Sequence, residues 1–217
     1  MACNNSYILC KQKPCTCTSE GYVHPCTCPM TELVRNGGFE ERFVFGPVGE
    51  DNFFVGWTFD DNEMSFLVGD LAYEGIQNIT FFTLPSEAVR TKDARIFQNV
   101  PVTPGCLLQL SFAESLNAIG RDFSDLDVSA RVYFGDASFG SPNQTDLIRI
   151  DIDYDISQED RGYNYHQKVA STPVPYNVTS VTVEFFVAAT DAATANDATE
   201  WLLDGVSLRA VSQICSF

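Results

Sequence analysis

Basic side chains are scarce in this sequence. Against 29 aspartates and glutamates stand only 13 lysines and arginines, a formal charge of −16. Such a surface repels phosphate backbones and anionic lipid, so neither nucleic acid nor a membrane is an expected partner. Histidine is scarcer still: His24 and His166 are the only 2, too few for a histidine metal triad. No G-x-S-x-G elbow or phosphate-binding glycine loop is present, and no acid pair stands out, so the chain is expected not to be an enzyme. Long apolar runs are missing too. The opening "MACNNSYILCKQ" offers only Tyr7-Ile8-Leu9, short of the roughly 7–15 residues of a secretory core. No later stretch approaches the ~20 apolar residues of a membrane helix. The expectation is a chain made in a reducing cytoplasm without a classical signal peptide. No helical period is sustained anywhere.

What is present is alternation. "ARIFQNV" (94–100), "CLLQLSFAE" (106–114), "DVSARVYFG" (127–135), "DLIRIDIDYDI" (146–156), "TSVTVEFFVAA" (179–189) and "EWLLDGVSLRAV" (200–211) are strand-length and rich in β-branched and aromatic residues. Pro-Gly, Gly-Ser-Pro and Asp/Asn clusters separate them. Ile148, Ile150, Ile152, Tyr154 and Ile156 share one face of their segment. Arg149, Asp151, Asp153 and Asp155 share the other. With 45% hydrophobic and 12% aromatic residues, the expected fold is all-β, an antiparallel two-sheet sandwich. The Asp151–Asp153–Asp155 ladder reads as a solvated face that discourages strand pairing if it lies on an edge.

The composition changes near Met30. Residues 1–30 read as a cysteine-rich connector arm, and residues 31–217 as one domain with a short tail from 212. Of 8 cysteines, 6 fall in the first 28 residues, with "PCTC" occurring twice. Zinc ligand pairs are usually spaced C-x₂₋₄-C. Here the spacing is C-x-C, and in an extended segment residues i and i+2 sit about 6.5 Å apart on one side. Bonds to cysteines on another copy, a metal site and staples within the chain all remain open. The intermolecular reading takes Cys3, Cys10, Cys15, Cys17, Cys26 and Cys28 as arm thiols. Cys106 and Cys215 are their docking points, although Cys106 also suits the core beside Leu108, Leu110 and Phe112.

"ELVRNGGFEE" followed by "GWTF", then "RIFQNVPVTPGCLLQLSF", "TSVTVEFF" and "WLLDGVSL" together resemble the galactose-binding-like jelly rolls. Similar domains are the carbohydrate-binding modules of families four and nine and domains of bacterial spore-surface proteins. The resemblance covers about residues 32–211. It implies a jelly roll with Trp57 in the core and a structural calcium ion held by Glu40 or Glu41 and by Asp204. Together with the arm it suggests a self-assembling, disulfide-linked subunit of a surface filament or layer, head-to-tail with itself, on a cell or spore surface. The alternative is a carbohydrate-binding module or adhesin, contacting glycans or other surface proteins. For sugar binding the aromatic candidates are Tyr133, Tyr154, Tyr163, Tyr165 and Trp201. Asn-x-Ser/Thr triplets at Asn4, Asn78, Asn143 and Asn177 become glycan sites only in a eukaryotic secretory route.

Overall fold

The computed structural model describes residues 16–19, 22–25, 28–44, 52–62, 64–83, 91–118, 123–135, 141, 143–154, 162–191 and 199–211. Cys3, Cys10, Cys15, Cys26, Cys215, Asn4 and Asp155 lie outside them. Fourteen strands follow one another: β1 (Thr16–Ser19), β2 (Tyr22–Pro25), β3 (Arg42–Val44), β4 (Asn52–Phe54), β5 (Thr58–Asn62), β6 (Ser65–Gly69), β7 (Asn78–Thr83), β8 (Thr91–Pro101), β9 (Leu107–Ala118), β10 (Phe123–Phe134), β11 (Thr145–Asp153), β12 (Asn164–Val169), β13 (Ser180–Asp191) and β14 (Thr199–Val211). Among the described residues there is no helix.

Two five-stranded antiparallel sheets carry the fold, in the orders β11-β10-β13-β8-β5 and β12-β9-β14-β7-β6. β1 and β2 form a separate hairpin in the arm, with Cys17 opposite His24 in the backbone register. The six segments read from alternation became the six longest strands. The short ones, β3 to β7, had too few residues to show a period.

The inner faces interlock through Ile96, Leu110, Phe112, Val183, Phe185 and Leu208, all fully buried. Aromatic rings continue the contact along the sandwich, from Phe59 to Phe66, Phe81 and Trp201 at 4.9, 5.0 and 5.2 Å between successive centroids. Trp57 packs against Phe39 and Phe185, as expected for a core residue. β11 is an edge strand, and Asp151 and Asp153 are exposed on it. Arg149 pairs with Asp151 at 2.8 Å, so the ladder is partly neutralised where it meets solvent.

The outer face of the first sheet holds a charge that alternation alone reads as solvated. Glu184 is wholly buried there. Its oxygens accept hydrogen bonds from Arg95 at 3.2 Å, Arg131 at 3.4 Å and the Tyr133 hydroxyl at 3.0 Å. Arg95 and Arg131 also bind Asp60 and Asp146, and each guanidinium lies 4.8 Å from a ring centroid, of Phe97 and Tyr133 respectively. A carboxylate left unpaired at such depth would be costly; two cations and a hydroxyl remove that cost. Burial beside this carboxylate pushes the Tyr133 hydroxyl up to about 12.

Two cysteine assignments need correcting. Cys28 and Cys106 are bonded to each other within the chain, across a sequence separation of 78, not to other copies. Cys106 is buried in the core at the start of β9, and Cys28 packs against that core. The end of the arm is thus tied to the sandwich before Leu33, whose N–H donates to Leu208 O at 2.9 Å.

Candidate functional site

The "NGGFEE" turn is built on Asn36, which takes a positive φ of 54°. Its side-chain amide donates to Glu41 O at 2.7 Å, its side-chain oxygen accepts from Glu41 N at 2.9 Å, and its carbonyl accepts from Trp57 Nε1 at 3.0 Å. Phe39 then turns into the core, which sends the next residue, Glu40, toward the 70–77 loop joining β6 to β7. Glu40 Oε1 accepts from the N–H groups of Ile76 at 2.7 Å and Gln77 at 3.0 Å. Gly75 has φ +75°, and a side-chain carbon there would stand 2.1 Å from that oxygen, so only glycine allows the approach.

Asp204 holds the other half of the loop. It is fully buried on β14, beside a break in register between Asp204 and Ser207. Its Oδ2 accepts from Tyr73 N at 2.8 Å and Glu74 N at 3.0 Å, and its Oδ1 accepts from Gly205 N at 2.7 Å. Burial raises its pKa above the usual aspartate value. The three N–H donors pull it back, and the charge of Glu74 raises it further.

These are the residues from which calcium was expected, and their oxygens serve five backbone N–H groups. Glu41 turns instead toward Arg35, at 3.6 Å. Among the described residues no three histidine, cysteine or carboxylate side chains converge closely enough to hold an ion. A calcium ion here would take most of its six to eight oxygens from backbone carbonyls rather than from a third acid. Calorimetry on chelator-treated protein tests the ion: a clear rise of the melting temperature on adding calcium supports it, and an unchanged value removes it.

What the clamped loop presents is a tyrosine. Tyr73 lies 5.5 Å from Tyr163 and 6.4 Å from Tyr165, centroid to centroid, and the last pair of rings is inclined by only 23°. Tyr73 is 47% and Tyr165 54% exposed, with Leu71 and Ile76 exposed on the loop of Tyr73. Tyr163 is fixed from below. Its hydroxyl donates to Leu71 O at 2.6 Å and accepts from Asn78 Nδ2 at 2.9 Å, and burial pushes it up to about 12. Asn78 is itself fully buried, which removes it as a glycosylation acceptor; Asn143 and Asn177 are exposed in turns.

Of the aromatic candidates, the structure brings Tyr163 and Tyr165 together and withdraws the rest. Tyr133 belongs to the Glu184 cluster. Tyr154 and Trp201 are buried between the sheets, where both donate to Glu114, and Trp201 Nε1 also donates to the Tyr154 hydroxyl at 2.9 Å. Their polar ends explain their burial: each finds a partner inside. Tyr73 was missed, because "LAYEG" has no strand period and nothing in it marks a loop held at both ends.

The clamp makes a testable statement about pH. A raised folded pKa means that the contribution of Asp204 is fully present below the ordinary value of 3.8 and is lost as pH rises through the folded value. The stability advantage of the parent over Asp204→Asn is therefore expected to shrink as pH rises through that window, as read from thermal melts. At low pH the asparagine should cost about 1–3 kcal/mol for the acceptors it lacks.

No protein-family model matches the chain, and no curated protein matches it in sequence. Solved structures do match in shape. The enzymatically active domain of tailspike protein 4 from bacteriophage CBA120 superposes over 83% of this chain with a TM-score of 0.51 at 14% identity, and the chain spans 21% of it. The N-terminal CBM22-1–CBM22-2 tandem domain of Xyn10C from Paenibacillus barcinonensis matches over 89%, with TM-score 0.50 and 14% identity; the chain spans 50% of that tandem. A CBM61 module in complex with β-1,4-galactotriose aligns over 83% of this chain and 99% of its own length, at TM-score 0.49 and 13% identity. The likeness is one of fold: the chain is a jelly roll like those of the carbohydrate-binding modules.

Proposed function

We propose that this protein is a non-catalytic glycan-binding module and that the Tyr73–Tyr163–Tyr165 platform is its contact surface. The observation that carries this reading is Tyr73, half-exposed on a loop held by four N–H groups donating to two carboxylates and by an asparagine amide donating to Leu71 O, with its ring beside those of Tyr163 and the half-exposed Tyr165 of β12. Sugar rings present patches of C–H groups that pack on aromatic faces. A platform ordered before binding loses little entropy when it is occupied. The Cys28–Cys106 bond supports an oxidising setting such as a cell surface.

Tyr73→Ala and Tyr165→Ala are expected each to weaken binding to a neutral oligosaccharide roughly 5- to 30-fold, the worth of one stacked ring at about 1–2 kcal/mol. Titration calorimetry on hits from a glycan array reads this, with unchanged circular dichroism as the control for folding. Equal affinities in parent and variants would remove the platform.

The filament reading rests on the remaining arm thiols. Its separate test is non-reducing electrophoresis of the purified protein: large species that collapse on reduction support it, and a monomer under both conditions removes it.

A further inference from the structure

We infer that the platform selects glycans carrying free amino groups, deacetylated amino sugars, over neutral and acidic ones. The inference rests on the platform being a glycan site and names the charge of its ligand. The loop "DLAYEGIQ" (70–77) contributes Asp70 and Glu74 and no base; "GYNYHQ" (162–167) contributes only His166, between Arg161 and Lys168 in sequence, and Lys168 donates to Arg149 O at 2.6 Å. That histidine turns inward, with its Nε2 3.0 Å from Glu114 and its ring stacked on Phe112. Arg42, the first residue of β3, donates to the side-chain oxygen of Gln77 at the end of the loop at 2.5 Å.

Glu74 is placed for a ligand. β14 turns at Gly205 with φ +59°, and the missing side chain leaves a point that is 3.4 Å from the Tyr73 ring and 3.6 Å from the Glu74 carboxylate. Ring and carboxylate thus border one spot. Among the described residues no donor or cation pairs with that carboxylate, whereas Asp204 beneath it and Glu40 beside it are both engaged by backbone N–H groups. Among the described residues no arginine or lysine pairs with any of these three carboxyl groups. A tyrosine face attracts a cation through its quadrupole, and a neighbouring carboxylate adds to the attraction. An ammonium on a sugar stacked at Tyr73 meets both, while a uronate there meets only repulsion.

The experiment uses the full chain and three oligosaccharides of matched length: β-1,4-linked glucosamine, its fully N-acetylated form and a galacturonate. The glucosamine oligomer is expected to bind about 3- to 30-fold tighter than the acetylated one, the combined worth of one cation–π contact and one exposed ion pair, and the uronate weakest. The ratio should fall toward one in Glu74→Gln and with rising salt. A ratio near one in the parent, or a ratio unchanged in Glu74→Gln, overturns the inference while leaving the platform reading in place. If none of the three binds and an array of neutral glycans is also silent, the platform reading itself has failed.

Discussion

Replacing Glu114 by alanine is expected to lower the unfolding free energy by about 3–5 kcal/mol, the cost of breaking a buried charged network. Glu114 is 1% exposed on β9, between the sheets. One oxygen accepts from Asn164 Nδ2 at 3.1 Å and lies 3.0 Å from His166 Nε2. The other accepts from the Tyr154 hydroxyl and from Trp201 Nε1 at 3.3 Å. A carboxylate only accepts, so four donors, two from β12, one from just after β11 and one from β14, converge on it without conflict. Alanine leaves the indole and phenol without their acceptor and opens a cavity. Glutamine fills the space but sets an amide donor against other donors, and should fall between the two. Guanidinium titrations read both as a shift of midpoint at constant slope. A loss under 1 kcal/mol for alanine would mean that water replaces the carboxylate, and that the network does not hold β12 and Tyr154 to the core.

Reducing the Cys28–Cys106 bond is expected to cost about 4 kcal/mol, from the chain entropy that a ring of this size removes from the unfolded state. The two residues are 78 apart in sequence, and the ring they close includes β3 to β8. Cys28→Ser should match the reduced parent and be insensitive to reductant. Removing residues 1–27 should keep this contribution, whereas removing residues 1–30 should lose it. The useful boundary between arm and domain thus lies at Cys28, two residues before the composition changes at Met30. If both truncations melt alike, the bond contributes nothing to the sandwich and serves only to tether the arm.

Alternation determined the fold class because it is a local property. A strand with one face in the core repeats every two residues, and "LIRIDIDYDI" declares its sides without reference to any other segment. The landmarks "NGGFEE", "GWTF" and "WLLDGVSL" were legible for the same reason: a left-handed asparagine, a core tryptophan and a register break are each made within a few residues. Chemistry that depends on convergence was not legible in this way. Glu40 and Asp204 were picked out by their motifs, but only packing shows that they face the backbone of a loop more than 30 residues from one and 130 from the other. Tyr154 and Trp201 look like Tyr163 and Tyr165 in sequence. They differ because Glu114 receives the first two inside the sandwich, and Asn78 with Leu71 holds Tyr163 at its surface. Cys28 resembles its five neighbours in the arm until Cys106 is found beside it. Sequence by itself thus determined which faces are buried, since burial follows from local period. The tertiary structure alone decided which polar groups meet, because a hydrogen bond or a disulfide needs its partner within a few ångströms, and chain distance carries no record of that.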